Sequence, residues 1–334
     1  MEQSVDLSDE ELSQRLLAAA GQTRFRNVAI RQLERLPKGL SSLTYRAALD
    51  ADGQEQRVIV KAARPGIPPT RNRDVLRQAR IMTALASATP EVPVPEVLIV
   101  DRGDPPAVPP LFAMTLVPGD AEDPGWPEDA AQPDDVVRER GLVMARTLAA
   151  LHAVPAQSLL PGELELSLTD ELDRWADVYE AVDTELAAPA AACRHLLDKT
   201  LPTRVPAVLN HGDYRFGNAV FDGTRLTGLI DWEIAALEDP RFDLANLILY
   251  CGPDSLLRLR DSCYAHTSEE LIAAYELAIG ARVVDLDWFV RALRYKSAAA
   301  LALLIKHSRR GREPSPLLEE VAERLPAFMV RSLE

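Results

Sequence analysis

The chain has 334 residues, of which 47% are hydrophobic and 26% charged, and its formal net charge is −14. This length allows one large domain or two closely associated domains with a well-buried core. The negative charge argues against sequence-independent nucleic-acid binding and against a polybasic membrane contact. The three cysteines, Cys193, Cys251 and Cys263, have no metal-like spacing, so we expect reduced thiols in a cytoplasmic protein of unknown oligomeric state.

The N-terminal segment is expected to be a helix and not a targeting signal, because it lacks a basic region and a continuous apolar core. Ser8 followed by Glu11 forms a capping box that would begin this helix. The longest apolar run, at residues 297–305, is too short to span a membrane. These features predict a soluble protein.

Strand patterns dominate the first third of the chain. They occur at residues 27–36, 43–49, 56–62, 95–100 and 110–117. The turn DADG at 50–53 predicts a hairpin between the second and third strands, and the apolar spacing at 72–87 predicts a helix. Residues 118–135 are rich in proline, glycine and acidic residues, which indicates a connector.

Helical patterns prevail after the connector. They cover residues 134–152, 169–187, 240–251, 268–279, 286–307 and 315–331, with short strands predicted at 207–209, 218–221 and 226–230. We therefore predict an α+β fold with an N-terminal helix (1–24), a small β-rich nucleotide-binding lobe (25–118) and a larger, mainly helical catalytic lobe (119–334). Ligands favour the crevice between such lobes.

The stretch LNHGDYRFGNAVF at 209–221 places a histidine, an aspartate and an asparagine between two predicted strands. Asp213 and Asn218 could simply form turns. However, the block LTGLIDWE brings Asp231 to the end of a strand that would pair with 218–221, close to Asn218. Two such oxygen ligands suit Mg²⁺, which would leave Asp213 to orient and deprotonate a hydroxyl. A zinc site is disfavoured, because no second histidine or cysteine stands at ligand spacing.

Lys61 ends the strand VIVK and has two interpretations. It could be a solvated lysine at a strand end, or it could point into the crevice and hold phosphate oxygens. The loop GLSS at 39–42 could cover the same phosphates with backbone N–H groups and the hydroxyls of Ser41 and Ser42, although one glycine is weak evidence.

The blocks HGDYRFGN, IDWE and DPRFDLA occur in this order, accompanied by KGLSSLTY, VIVK, VPVPEVL, FAMTLVPG and TLAALH. Together they resemble the signature blocks of the aminoglycoside-phosphotransferase-like family of small-molecule kinases, which share the protein-kinase fold. The similar features run from about residue 27 to residue 307. The resemblance implies a bilobal protein-kinase-like fold, ATP and Mg²⁺ as cofactors, and a small-molecule alcohol as phosphate acceptor.

The resemblance also implies a role for individual residues. Asp213 matches the catalytic aspartate that accepts the hydroxyl proton, and Asn218 and Asp231 match the magnesium ligands. Lys61 matches the lysine that pairs with the α- and β-phosphates. Arg215 could reach the γ-phosphate as a second catalytic residue or could form a surface salt bridge.

The remaining family positions are the hinge and several structural residues. TLVPG at 115–119, with Leu116 and Val117, matches the hinge whose backbone receives adenine. His152, His211 and Asp243 are expected to support the catalytic segment structurally, and Trp232 is expected in the core or in the cleft wall.

One position departs from the family pattern. Related kinases hold the strand lysine with a glutamate on the next helix, and this chain has Gln78 there. Gln78 is expected to contact Lys61 at the nucleotide site, with a weaker hydrogen bond than a carboxylate would make. Asp74, one helical turn earlier, is predicted to supply the missing charge.

The fold does not select the acceptor. The blocks IDWEIAALEDPRFDLA and YKSAAALALLIKHSRR resemble the branch with kinase domains fused to acyl-CoA dehydrogenases, which implies a hydroxyacyl-CoA-type metabolite. The basic cluster at 306–312 could meet an anionic handle or could only complement the helix dipole. The net negative charge would suit a cationic antibiotic such as an aminoglycoside.

A nucleotide-binding pseudokinase that regulates a partner is the alternative from a different class. The presence of Lys61, Asp213, Asn218 and Asp231 together argues against it, whereas Gln78 keeps it open. We favour a kinase of an unidentified small-molecule alcohol, with no nucleic-acid or membrane partner.

Overall fold

The computed structural model describes residues 7–23, 25, 27–36, 42–123, 132–251, 266–311 and 314–333. The chain divides into two compact units: residues 1–119 with 227–234, and residues 120–226 with 235–334. The first unit contains a small antiparallel sheet and the second is mainly helical, so the predicted α+β class is confirmed.

Five strands form the sheet of the first unit, in the order β1-β2-β3-β5-β4, with every neighbouring pair antiparallel. Their bounds are Val28–Arg35 (β1), Leu43–Ala51 (β2), Gln54–Ala62 (β3), Val97–Asp101 (β4) and Leu111–Thr115 (β5). Each strand falls where the sequence predicts one.

The hairpin between β2 and β3 follows from its two turn residues. Asp52 and Gly53 have φ angles of 54° and 82°, and a two-residue type I′ turn requires positive φ at both positions. An Asp-Gly pair adopts this backbone readily. The turn fixes the register of the hairpin, which pairs Thr44 with Lys61 near its open end.

Two helices belong to the first unit: α1 (Asp9–Ala20) and α2 (Val75–Ala88). α1 begins as predicted, because the Ser8 hydroxyl accepts the N–H of Glu11 at 3.2 Å. Its Leu12 and Leu16 are fully buried in the same core as the inward side chains of the sheet. α2 packs against the short turn Trp232–Ile234, whose Trp232 is also fully buried.

The second unit contains nine helices within its described residues. Their bounds are Asp134–His152 (α3), Ala156–Leu159 (α4), Leu168–Ala181 (α5), Thr184–Ala187 (α6), Ala190–Lys199 (α7), Arg241–Cys251 (α8), Ser268–Ile279 (α9), Leu286–Arg309 (α10) and Pro316–Val330 (α11). The prediction of one helix over 169–187 is wrong, because the chain breaks after α5 at Val182 and Asp183, which are both extended. α7 was not predicted.

Four short strands complete the structure: Val208–Asn210 (β6), Ala219–Asp222 (β7), Arg225–Leu229 (β8) and Ala236–Glu238 (β9). β7 and β8 form the predicted hairpin, and β6 pairs antiparallel with β9, which was not predicted. β6 and β7 flank the segment HGDYRFGN and thereby fix both of its ends.

The core of the second unit is built around α10, which contacts α5, α8 and α11. Phe242, Trp288 and Phe289 pack edge to face in this core, with ring centroids 4.9–6.3 Å apart. Within the described part of the chain, no helix combines the length and the apolar character that a membrane span needs.

Candidate active site

The loop between β6 and β7 is held by hydrogen bonds to its backbone. The buried Asp243, in the first turn of α8, accepts the N–H groups of His211 at 2.5 Å and Gly212 at 2.9 Å. The side-chain amide of Asn246 donates to the Gly212 carbonyl at 3.0 Å. These bonds fix the backbone of His211 and Gly212, and they thereby fix the backbone position of the next residue, Asp213. The predicted structural role of Asp243 is thereby supported.

Two further residues support this loop. The hydroxyl of Tyr214 donates to the carbonyl of Met144 on α3 at 2.9 Å, and Tyr214 is fully buried. Burial raises the pKa of Tyr214, so the hydroxyl keeps its proton and remains a donor. His152 lies with Nε2 3.9 Å from the Asp243 carboxylate and Nδ1 2.7 Å from the Tyr275 hydroxyl. These contacts agree with the structural role predicted for His152.

The Asp213 carboxylate is contacted by two side chains of its own loop. The amide nitrogen of Asn218 donates to Oδ2 at 2.7 Å and to the Asp213 carbonyl at 2.9 Å. Nε of Arg215 lies 3.1 Å from Oδ1 and 3.2 Å from Oδ2. The Asp213 side chain is 30% exposed, so the carboxylate is oriented by its neighbours and still open to an incoming group.

The alternative that Asp213 and Asn218 only form turns accounts for part of this arrangement. Asn218 does end a short 3-10 turn, Phe216–Asn218. Its amide nitrogen serves Asp213, and no donor among the described residues contacts its side-chain oxygen. The oxygen is therefore available as a ligand, which a purely structural turn would not require.

The sequence left two interpretations of Arg215 open, a catalytic residue near the γ-phosphate and a surface salt bridge. Besides Asp213, its Nη1 contacts Asp123 at 3.5 Å, and the Asp123 side chain is 6% exposed. Burial would lower the pKa of Arg215, but the charges of Asp213 and Asp123 raise it above its ordinary value. Arg215 is thus a partly buried cation that forms ion pairs with two carboxylates.

The second set of predicted residues lies in the first unit. Nζ of Lys61 on β3 contacts Oε1 of Gln78 at 3.1 Å and Oδ1 of Asp231 at 2.5 Å. Lys61 and Gln78 are buried, so the solvated-lysine interpretation of Lys61 is wrong. Asp231 has a φ of 67°, a left-handed backbone that is uncommon outside glycine and occurs often at functional sites.

The predicted role of Asp74 is wrong. Its carboxylate accepts the N–H of Arg77 at 3.0 Å, as the N-cap of α2, and lies 3.6 Å from Arg80. The Lys61 ammonium is instead neutralised by Asp231. An N-terminal capping aspartate is held at the helix start by the backbone N–H groups that it accepts, and this prevents it from serving a lysine on the sheet.

The predicted hinge follows β5, and the predicted phosphate loop precedes β2. The N–H of Leu116 donates to the Arg57 carbonyl at 3.1 Å. No described residue hydrogen-bonds the Leu116 carbonyl or the Val117 N–H, so these two groups are available to a nucleotide base. Ser42 is buried just before β2, and Ser41 lies outside the described residues.

The basic cluster at the end of α10 does not present a free anion site at Arg309. That side chain contacts the carboxylates of Glu319, Glu185 and Asp183 at 2.9–3.6 Å. The ammonium of Lys306 donates to the Ala181 carbonyl. Arg312 lies outside the described residues. The structure therefore does not support the hypothesis that Lys306 and Arg309 bind an anionic group of the acceptor.

A buried charged network in the second unit was not predicted. Lys296 on α10 lies 2.9 Å from Glu171, and Glu238 on β9 is buried with no partner for Oε2 among the described residues. Burial raises the pKa of Glu238 to about 8. Burial would also raise the pKa of Glu171, but the Lys296 charge lowers it to about 2. Glu171 and Lys296 are 125 positions apart in the sequence, and Glu238 lies between them. No local sequence pattern therefore reveals this network.

Comparison with known proteins identifies related sequences. Residues 32–288 match the sequence model of the family described as "Phosphotransferase enzyme family". Mouse acyl-CoA dehydrogenase family member 10 is 27% identical over 262 residues, which cover 73% of this chain. The match covers 24% of that relative, so the chain spans about a quarter of its length.

Solved structures share the fold. A Ralstonia eutropha protein assigned to the aminoglycoside phosphotransferases superposes with a TM-score of 0.72 at 20% identity, covering 97% of both chains. A thermostable mutant of an aminoglycoside phosphotransferase, in a ternary complex with ADP and hygromycin B, gives a TM-score of 0.61 at 16% identity, covering 96% of this chain and 98% of that one. These similarities confirm the predicted protein-kinase-like fold.

Proposed function

Because the chain belongs to the phosphotransferase enzyme family, we propose that it transfers the γ-phosphoryl group of ATP to a hydroxyl of a small-molecule acceptor. The match over residues 32–288 confirms the predicted family and the predicted enzyme class, a small-molecule phosphotransferase. The identity of the phosphate donor, the acceptor and the residue roles are the proposal.

The Asp213 carboxylate is the observation that carries this proposal. It is fixed by Asn218 and Arg215, on a loop that Asp243 holds through its backbone. A carboxylate accepts about four hydrogen bonds, so Asp213 can accept one more from an acceptor hydroxyl. In the transfer, the hydroxyl oxygen bonds to the γ-phosphorus, the bond from that phosphorus to the β–γ bridging oxygen breaks, and the proton passes to Asp213. ADP leaves.

Mg²⁺ would be held by the oxygen atoms of Asn218 and Asp231. The side-chain oxygen of Asn218 has no donor among the described residues, and the Asp231 side chain is 38% exposed. Magnesium prefers one or two such oxygen ligands together with substrate phosphates, and it would neutralise charge on those phosphates. Asn218 and Asp231 belong to different units, and their joint action on one nucleotide is part of the proposal.

Three further residues would serve the nucleotide or the transferred group. Lys61 would pair with the α- and β-phosphates once Asp231 turns to the metal. Oε1 of Gln78 accepts from Lys61 at 3.1 Å, so Gln78 would serve the nucleotide by holding that lysine, and its buried Nε2 has no partner among the described residues. Nη2 of Arg215 is likewise without a partner among the described residues, and it could contact the γ-phosphate.

The acceptor is proposed to be a hydroxyl-bearing metabolite, with a hydroxyacyl-CoA as the first candidate. Support comes from the 27% identity to an acyl-CoA dehydrogenase family member, although this chain spans about a quarter of that protein. An aminoglycoside is the competing candidate, because a structural relative is a phosphotransferase complexed with hygromycin B. Cys193 and Cys251 are buried free thiols, which is consistent with the cytoplasmic location that the sequence predicts.

A substrate screen tests this function. ATP consumption and thermal shift would be measured with Mg²⁺ over a panel of hydroxyacyl-CoAs, aminoglycosides, macrolides and choline-like amines. One compound should raise ATP consumption in the parent and leave it unchanged in Asp213→Asn. A thermal shift with ATP but no consumption with any acceptor would favour the pseudokinase alternative.

A further inference from the structure

The guanidinium of Arg215 lies between two carboxylates and uses a different nitrogen for each. Nε faces Asp213 at 3.1 and 3.2 Å, and Nη1 faces Asp123 at 3.5 Å. Asp123 is 5% exposed, so its carboxylate is an anchor inside the second unit and not a solvated acid. The rigid guanidinium plane couples the two contacts, because a movement of Nη1 also moves Nε.

Gly217 provides the space for this orientation. A Cβ atom at position 217 would lie 2.3 Å from Nη1 of Arg215 and 3.2 Å from its Cζ. Gly217 does not have a positive φ, so the backbone does not demand glycine there. The guanidinium therefore occupies the space that a Cβ at position 217 would take, and a side chain there would displace Arg215 from its observed place.

We propose that Asp123 and Gly217 are positioning residues that orient Arg215 against the Asp213 carboxylate. The proposal rests on the proposed role of Asp213 as the residue that accepts the hydroxyl proton. Asp123 attracts Nη1 from one side, and the absence of a side chain at 217 leaves room for the guanidinium. Nε is thereby directed at both oxygens of Asp213, and the catalytic carboxylate is restricted to one orientation.

Nuclear magnetic resonance of the full chain tests the positioning without any acceptor. The Nε–H signal of Arg215 would be assigned by its loss in Arg215→Lys. Its chemical shift should change in both Gly217→Ala and Asp123→Asn. Gly21→Ala and Asp222→Asn are matched controls, because a Cβ at 21 makes only ordinary contacts of 3.6 Å and Asp222 is exposed. Unchanged Arg215 signals in both test variants would overturn the proposal.

Turnover tests whether the positioning matters. In Gly217→Ala and Asp123→Asn, kcat should fall about ten- to hundredfold, because a displacement of about 1 Å at a reacting group can cost about 10²-fold. The KM for Mg·ATP should change less than kcat does, since both residues act through Arg215, whose proposed contact is with the transferred γ-phosphoryl group alone. A rise in KM with an unchanged kcat would contradict the inference.

A double-mutant cycle distinguishes an effect of Gly217 through Arg215 from a general effect of Gly217→Ala on the structure of the loop. If Gly217 acts only through the long guanidinium, Gly217→Ala should have little effect on kcat and melting temperature in an Arg215→Ala background. An undiminished effect there would assign Gly217 a role in the loop itself and overturn its part of the inference. If the parent transfers no phosphoryl group to any acceptor or to water, the proposed function fails. The nuclear magnetic resonance signals of Arg215 decide separately whether Asp123 and Gly217 position Arg215.

Discussion

Nζ of Lys61 lies 2.5 Å from Oδ1 of Asp231, so the proposed phosphate-binding lysine is paired with a proposed metal ligand. Within the described residues, Gln78 is the other side chain that contacts this ammonium, and an amide brings no charge. The counter-charge of Lys61 is therefore supplied by Asp231, two residues after the end of β8. Metal binding at Asp231 and release of Lys61 toward the phosphates would then occur together.

Gln78→Glu should strengthen Mg·ATP binding. The new carboxylate would attract Lys61 away from Asp231 and would remove the unpartnered Nε2 donor. A charged acceptor contributes about 0.5–1.5 kcal/mol more than a neutral one, which corresponds to roughly two- to tenfold in Kd. Isothermal titration with Mg·ATP measures the change. Gln78→Leu, which keeps the volume and removes the acceptor, should bind more weakly, and equal affinity in all three proteins would refute the idea.

Asp231→Asn should abolish the metal dependence of nucleotide binding. The parent should bind ATP more tightly with Mg²⁺ than with EDTA, because Asp231 is one of the two proposed ligands. In the variant the two affinities should agree within about threefold. Titration calorimetry under both conditions decides this, and Asp222→Asn serves as the control for loss of an exposed aspartate. A variant that retains the full magnesium effect would exclude Asp231 as a ligand.

Asp213→Asn should remove turnover and leave nucleotide binding intact. A positioned general base contributes about 10²–10⁴-fold to the rate, which is about 3–5 kcal/mol of transition-state free energy. The loss should appear in kcat more than in the KM for ATP. Rates would be compared with melting temperature, because asparagine forms an Asx-turn as well as aspartate does. A stable and fully active variant would show that Asp213 is only a turn residue.

Glu238→Gln should make the protein more stable at alkaline pH. The folded-state pKa of Glu238 is raised by burial to about 8, above its unfolded value near 4.5. The stability linked to its protonated form is complete below pH 4.5 and is lost as pH rises through 8, on the order of a few kcal/mol by pH 9. Glutamine resembles the protonated acid and does not ionise.

Thermal unfolding at pH 5 and pH 9 measures this effect. The parent should lose stability between the two values, and the loss should be smaller in Glu238→Gln. Glu171, with a pKa of about 2, is ionised throughout this range and does not contribute to the difference. The exposed Glu55 provides the control Glu55→Gln, which should follow the parent. An identical decline in Glu238→Gln would contradict the assignment of this titration to Glu238.

The parts of the fold that the sequence predicted are those with local signals. Ser8 marks the start of α1, Asp52 and Gly53 specify the β2–β3 turn, and the β-forming residues of VIVK place Lys61 at the end of a strand. In the candidate site, the block HGDYRFGN identifies Asp213 and Asn218 because both lie on one loop. Each of these inferences needs only residues that are near one another in the chain.

The missed features depend on contacts between distant residues. Lys61 and Asp231 are 170 positions apart, and nothing near Lys61 in sequence distinguishes Asp231 from Asp74 as its partner. β9 has three residues and includes Glu238, and a buried glutamate opposes the usual strand composition. Asp123 lies among the acidic residues of the predicted connector, and composition gives no sign of its contact with Arg215.

The first unit is not continuous in sequence, because residues 227–234 return to it. A fragment ending at residue 119 would therefore lack the fully buried Trp232 and would leave the Lys61 ammonium without its counter-charge. The two segments approach each other where the Thr227 hydroxyl donates to the Pro118 carbonyl at 2.6 Å. A protein engineer could therefore splice residue 119 to residue 227 through a short linker. The spliced chain, ending at residue 234, would contain both members of the Lys61–Asp231 pair.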